Sequence, residues 1–351
     1  MNGVALDRGG QWIVQRLRVP VIASAIYLPL SAVLIGFKTD QLVLAALFTG
    51  LYMASAASRR WVLGFAIFFV YWVIFDWMKA LPNYTVNTVH IGDLYAAERS
   101  LFGIAHQGTV LTPNEHLALR TTPLKDLLAG LFYLCWVPVP LAFAAYLYAK
   151  DKVHFLRFAL CFLLVNLLGF AVYYLYPAAP PWYVAQHDTA FIAGTPGNTA
   201  GLGRFDALTG LPIFHGLYSK SSNVFAAVPS LHAAYLLVAA YWAHRAGLKK
   251  ARAFFAFIAA GIWWAAVYSG HHYILDVLAG IACAVLGVTL FNLLLRAPRF
   301  AAWITRYRNA IEQPRRTLRP GPQLVHMDGG QRPGQGIIIT TEHPDHVTTD
   351  H

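Results

Sequence analysis

Apolar residues in this chain come in long blocks divided by shorter polar stretches. Eight blocks reach or approach the roughly 17 to 25 residues that cross a bilayer as a helix: 19–36, 41–57, 61–78, 126–149, 154–176, 226–243, 253–269 and 272–295. Six or seven is the alternative count, because 41–57 is short and the last two blocks are split only by Ser269, Gly270 and two histidines. The pattern predicts an all-α, polytopic membrane protein with about eight transmembrane helices. Block 19–36 follows Arg16 and Arg18 and lacks a convincing cleavage site, so it reads as an anchor. Two connections, 79–125 and 177–225, are far longer than ordinary helix links, which suggests that they shape a substrate site.

Composition agrees with that solvent. With 57% hydrophobic and 12% charged residues, and a mean hydropathy of +0.49, the chain has too little charge to cover a soluble domain of this size. The sign of the charge then gives an orientation. If the N-terminus is cytoplasmic and eight helices alternate, 20 of the 27 basic residues lie inside and 7 outside. Both long connections then fall on the outer face, and both termini are cytoplasmic. The net charge of +11 is this inside bias plus attraction to anionic lipid, and no nucleic-acid partner is called for. Cys135, Cys161 and Cys283 lie within the apolar blocks and read as packing residues. From about residue 300 the chain turns basic and then rich in Gly, Pro, Thr and Asp, predicting a mostly disordered tail. His343, His346 and His351 within it are too loosely spaced to point to a metal. No internal repeat of the kind common in transporters is evident.

The candidate chemistry sits in two fragments, Ala227-Val228-Pro229-Ser230-Leu231-His232 and Tyr268-Ser269-Gly270-His271-His272-Tyr273-Ile274-Leu275-Asp276. Polar groups at the ends of apolar segments are costly and need a reason. One such histidine reads as an ordinary interfacial residue. Two on the same face, one with a carboxylate four positions on, read as a site. On a helix, His272 and Asp276 share a face, so the carboxylate can hold one imidazole N–H and leave the other nitrogen free to attack. Pro229 and Ser230 stand where a loop becomes a helix, and a helix start offers N–H groups, with the Ser230 hydroxyl, to a phosphate. His232, one turn in, then faces His272 across that phosphate. The chemistry that fits such an arrangement is phosphoryl transfer through histidine, with one imidazole as nucleophile and another as acid.

Pro229-Ser230-x-His232 followed by His272-x-x-x-Asp276 resembles the second and third signature motifs of the type 2 phosphatidic acid phosphatase superfamily. Three further stretches resemble its inositol phosphorylceramide synthase and inositolphosphotransferase-like branch: Tyr176 to Tyr183, the doubled His271-His272 with Tyr273, and Phe75 to Lys79 leading to Val89-His90-Ile91 and Leu94-Tyr95. The resemblance implies a six-helix catalytic core within 61–297, with 19–60 as two added helices, while the charge and composition above make 1–18 a cytoplasmic N-terminus and 298–351 the basic cytoplasmic tail. It also implies His272 as the nucleophile that becomes phosphohistidine, Asp276 as its partner, and His232 as acid and then base. Neither a metal nor a cofactor is implied.

Two departures bear on the substrate. The usual first motif, a Lys followed by Arg-Pro, is not evident, and Ala265-Ala266 stand where relatives carry Ser-Arg. Phosphate charge must therefore be met by other outer cations, of which Lys79 and Lys220 are chosen here over Arg204. Asp76, in an aromatic apolar run, is a candidate functional carboxylate with Lys79 at i+3 as its possible partner. Trp182 and Tyr183 read first as an interfacial aromatic belt and second as a wall for a lipid headgroup. The leading expectation is a lipid phosphotransferase moving a headgroup, phosphoinositol by resemblance, from a phospholipid to a lipid hydroxyl. The alternatives are a lipid phosphate phosphatase and, from another class, a transporter with His and Asp lining a proton path.

Overall fold

A computed structural model describes residues 8–219 and 223–312, with side chains from Leu17 onward. Lys220 and the tail residues His343, His346 and His351 lie outside the described residues. In chain order the helices are α1 (Arg8–Ile35), α2 (Thr39–Ala54), α3 (Ala56–Trp77), α4 (Gly92–Phe102), α5 (Pro113–Ala118), α6 (Pro123–Leu134), α7 (Pro138–Lys150), α8 (Lys152–Leu175), α9 (Pro181–His187), α10 (Gly203–Thr209), α11 (Ile213–Tyr218), α12 (Leu231–Arg245), α13 (Lys249–Tyr268), α14 (Ile274–Leu294) and α15 (Pro298–Ile311). A hairpin of β1 (Ile104–His106) and β2 (Thr109–Leu111), with Ile104 opposite Leu111, joins α4 to α5.

All eight apolar blocks form helix, and among the described residues six spans are long and apolar enough to cross a membrane. These are Leu17–Ile35, Ala56–Ala80, Pro123–Lys150, Lys152–Leu175, Lys249–Tyr268 and Ile274–Leu294. The other two blocks give α2, of 16 residues, and α12, of 15. The span Pro123–Lys150 is interrupted between α6 and α7. Pro138 and Pro140 cannot supply the N–H groups that the Leu134 and Trp136 carbonyls would accept in a continuous helix, so the chain breaks there.

Helix α12 is the centre of the bundle and packs on α7, α8, α13 and α14. Two close approaches set its position. A Cβ at Gly280 of α14 would overlap the Ser230 carbonyl oxygen and lie 3.2 Å from Ala233 Cβ, while a Cβ at Gly169 of α8 would lie 2.6 Å from Leu231. Glycine lets the α14 backbone meet that of Ser230, and leaves room on α8 for the Leu231 side chain. By contrast α1 and α2 pack chiefly on each other and on α3, and leave Val19, Val21, Ile22, Val33, Val43 and Leu47 exposed, an apolar surface suited to lipid.

The long connections are structured. Extended segments around His90, Ala178 and Ala226 pair in parallel, through His90 N–H to Pro177 (2.8 Å), Ala179 N–H to His90 (2.9 Å) and Ala178 N–H to Phe225 (3.0 Å). Asn83 ties the same region to the bundle by donating to the Tyr173 and Phe225 carbonyls. Stretches far apart in sequence thus converge immediately ahead of Pro229.

Two expectations change. The interfacial-belt reading of Trp182 and Tyr183 is wrong, since both are buried in a small core with Ile91, Ala179 and Phe225. Prolines 177, 180 and 181 turn this segment inward, and the Tyr183 hydroxyl bonds the Ala190 carbonyl and the Ile192 N–H. The start of the expected tail is also ordered, as α15. Its Ile304 and Ile311 are buried against α3 and α8, and Tyr307 donates to the Leu63 carbonyl at 2.6 Å. An apolar stripe on an otherwise basic helix suffices to dock it.

Candidate active site

The turn between α13 and α14 carries His271 and His272, and the start of α12 carries His232. His232 Nδ1 lies 3.2 Å from His272 Nε2, with the ring centroids 5.4 Å apart. The sequence places a phosphate between these rings, whereas here the two nitrogens are in direct contact. His272 Nδ1 stands 3.4 Å from Asp276 Oδ2, an ion-pair distance without hydrogen-bond geometry. The reason differs from the shared helix face inferred from sequence. Helix α14 begins at Ile274, so His272 precedes it, and Asp276 reaches back over the first turn to accept from the Tyr273 N–H at 2.8 Å. The Asp276 carbonyl accepts from the Ser230 N–H at 2.9 Å, linking the two motifs through backbone.

Burial governs the electrostatics. His272 and His271 are 6% and 5% exposed. Desolvation pushes the His272 imidazole down to about 4, so the neutral, nucleophilic form prevails at neutral pH. Among the described residues, Ser230 Oγ and Asp276 Oδ1 are buried without a hydrogen-bond partner. Buried polar atoms are rarely left so. His271 is fixed differently, with Nε2 2.8 Å from the Thr199 carbonyl and its ring stacked on Tyr218 at 4.4 Å. Tyr273 is buried, with its ring packed against Leu94, Ala178 and Ala227.

Tyr133 and Trp136, unmarked by the sequence reading, border His232 at 4.9 and 4.6 Å between ring centroids. Trp136 lies in the break between α6 and α7, so the two prolines that interrupt the span also put an aromatic edge on the acid candidate. Glu98 and Asn114 were missed as well. Both are buried and bond the backbone around His272.

The basic groups fall apart as a set. Lys79 is paired with Asp76 at 2.8 Å at the end of α3, where Trp77 donates to Ser31 of α1, so its charge is already met by a carboxylate. Arg204, set aside in the sequence reading, is joined to the site's helices. Its Nε donates to Asp126 of α6 at 2.7 Å, the Tyr268 hydroxyl donates to the same carboxylate at 2.7 Å, and nearby Gly201 N–H bonds the Ser269 carbonyl at 2.8 Å. Trp182 N–H bonds the Gly270 carbonyl at 2.9 Å, and its side chain lines a cavity of about 280 Å³ with Gln186, His187, Thr195 and Asn198.

A family profile described as the PAP2 superfamily matches residues 93–290, which include every group of this cluster. This chain belongs to the PAP2 superfamily. Among its relatives, the phosphoinositol dihydroceramide synthase of Bacteroides thetaiotaomicron is 45% identical over 298 residues, 83% of this chain and 97% of that protein. The inositol phosphorylceramide synthase of Candida albicans is 33% identical over 185 residues, 50% of this chain and 37% of that one. The catalytic subunit of the Saccharomyces cerevisiae inositol phosphorylceramide synthase is 34% identical over 132 residues, 36% of this chain and 31% of the subunit. No solved structure matches the chain at a significant level. The PAP2 protein described here is an integral, multi-pass membrane enzyme.

Proposed function

We propose that this PAP2 enzyme transfers phosphoinositol from a phospholipid to the hydroxyl of a ceramide-type lipid through a phosphohistidine. The observation that carries the chemistry is the contact of His232 Nδ1 with His272 Nε2. Near-full-length similarity to a phosphoinositol dihydroceramide synthase directs that chemistry to the headgroup and acceptor.

The roles follow from proton positions. With the Nδ1–H of His272 facing Asp276, the lone pair is on Nε2, and the 3.2 Å contact then has His232 donating from Nδ1. A phosphodiester anion entering between the rings favours a second proton on His232, because a negative charge stabilises imidazolium. His272 Nε2 attacks phosphorus, the bond from phosphorus to the diacylglycerol oxygen breaks, and His232 gives that oxygen its proton. The acceptor hydroxyl then returns a proton to His232 as its oxygen attacks phosphorus and the N–P bond breaks. Asp276 offsets the charge on His272 throughout, and Ser230 Oγ is a free donor for a phosphoryl oxygen.

A phosphodiester carries one charge at the reacting phosphorus and asks less of fixed cations than a dianionic monoester. With Ala265 and Ala266 buried at the positions where the wider superfamily motif has Ser-Arg, diester lipids are the expected donors. Purified enzyme given labelled phosphatidylinositol and ceramide should form a phosphoinositol ceramide and diacylglycerol. Faster hydrolysis of phosphatidic acid than transfer from any diester lipid would instead make the protein a phosphatase.

The site is placed on the outer face in this reading, with both termini cytoplasmic, on the strength of the distribution of Lys and Arg. After removal of Cys135, Cys161 and Cys283, a single cysteine at Asn198 should react with an impermeant reagent in intact cells, and one at Lys150 or Lys249 should not. Outside labelling at position 150 would overturn the orientation.

A further inference from the structure

The long connection 79–125 was read as shaping a substrate site, but two of its buried polar side chains reach backbone instead. Glu98 of α4 is fully buried, and its two oxygens accept separately from the Ile274 N–H at 2.9 Å and the Leu275 N–H at 3.1 Å. With Asp276 on the Tyr273 N–H, three successive donors following His272 are each held by a carboxylate oxygen. On the other flank, Asn114 of α5 spends both hydrogens of Nδ2, one on the Val267 carbonyl and one on that of His272 itself, each at 2.8 Å. Asn114 therefore bridges the end of α13 to the histidine across the turn. The two grips are cross-linked, since Tyr95, one turn before Glu98, donates its hydroxyl to Glu115 Oε1 at 2.9 Å, and Glu115 closes a capping box with Thr112 at the start of α5.

Resting on the reading of His272 as nucleophile, we propose that Glu98 and Asn114 are positioning residues that clamp the His272 backbone from both sides and fix the aim of its Nε2. Neither side chain bonds the imidazoles, so their effect passes through the turn. A nucleophile displaced by about an ångström loses on the order of a hundredfold in rate, and this bracket is what resists such a displacement.

The test is steady-state kinetics on Glu98→Gln and Asn114→Asp in the full-length enzyme. The first keeps size but turns an NH2 toward one of the two backbone donors; the second sets a carboxylate against two carbonyls. Both should lower kcat per folded enzyme by about tenfold or more, with KM for donor and acceptor within about twofold, at a temperature well below a thermal midpoint that the lost buried hydrogen bonds will lower. Glu98→Asp and Asn114→Ala separate positioning from folding, because the shorter acid should recover part of kcat and the truncation should lower kcat without changing KM. Wild-type kcat in Glu98→Gln or Asn114→Asp, a raised KM alone, or a fall in kcat matched by lost folded protein in all four variants would each overturn the clamp. If wild-type enzyme uses a donor other than phosphatidylinositol, the same split is read on that donor, so the clamp and the headgroup assignment fail independently.

Discussion

His272→Ala is expected to abolish headgroup transfer while leaving insertion and folding intact, because it removes the imidazole that bonds phosphorus in the proposed mechanism. His232→Ala should lower turnover by roughly 10²–10⁴-fold, the range of a general acid and base. Asp276→Asn should cost severely as well, since it removes the negative charge beside His272 while its amide oxygen can still accept from the Tyr273 N–H. These groups act as one unit, so the double and triple variants should be little worse than His272→Ala. Quenching the wild-type reaction with labelled donor should trap label on His272. Label on His232 or on a serine would reverse the roles, and a wild-type rate in either histidine variant would discard the site.

The second large effect is expected at a residue with no side chain at all, one turn after Asp276. Gly280→Ala puts a methyl into the Ser230 carbonyl, which is backbone and cannot rotate away, so α14 and the start of α12 must separate. Overpacking of this kind costs about 1–3 kcal/mol of stability. The greater loss is in catalysis, because that contact also sets the distance from His232 to His272. Activity is therefore expected to fall well beyond the loss of folded protein, and Gly280→Leu should prevent folding. Ala at Gly50 or Gly216, where nothing lies within 4 Å of the added carbon, serves as the control. Equal effects at 280 and 216 would show that the close approach carries no special weight.

The helices were legible because long apolar blocks leave few alternatives to a membrane helix, and the histidine motifs because buried polar groups stand out against them. Asp76 and Lys79 were legible as a pair from their spacing, but not in their place, since a lone lysine does not disclose whether its charge is already met. His272 and Asp276 were correctly brought together for a partly mistaken reason: the i to i+4 spacing suits a helix, yet the helix begins two residues later and the carboxylate doubles as its cap. Trp182 and Tyr183 look the same in sequence whether a proline-rich segment lies along the interface or folds under it. Glu98 and Asn114 could not be found at all. Their partners are backbone atoms more than 150 residues away, which have no sequence signature.

The 15 residues of α12 rise roughly 22 Å at 1.5 Å each, against roughly 30 Å of hydrocarbon. In the proposed orientation, with Arg245 and Lys249 at one membrane surface, the helix stops short of the opposite boundary, and a lipid's phosphodiester, which sits in the headgroup layer, would be drawn inward along the bundle to meet His232. A helix too short for its bilayer would thus favour reactants that the membrane already holds by their chains.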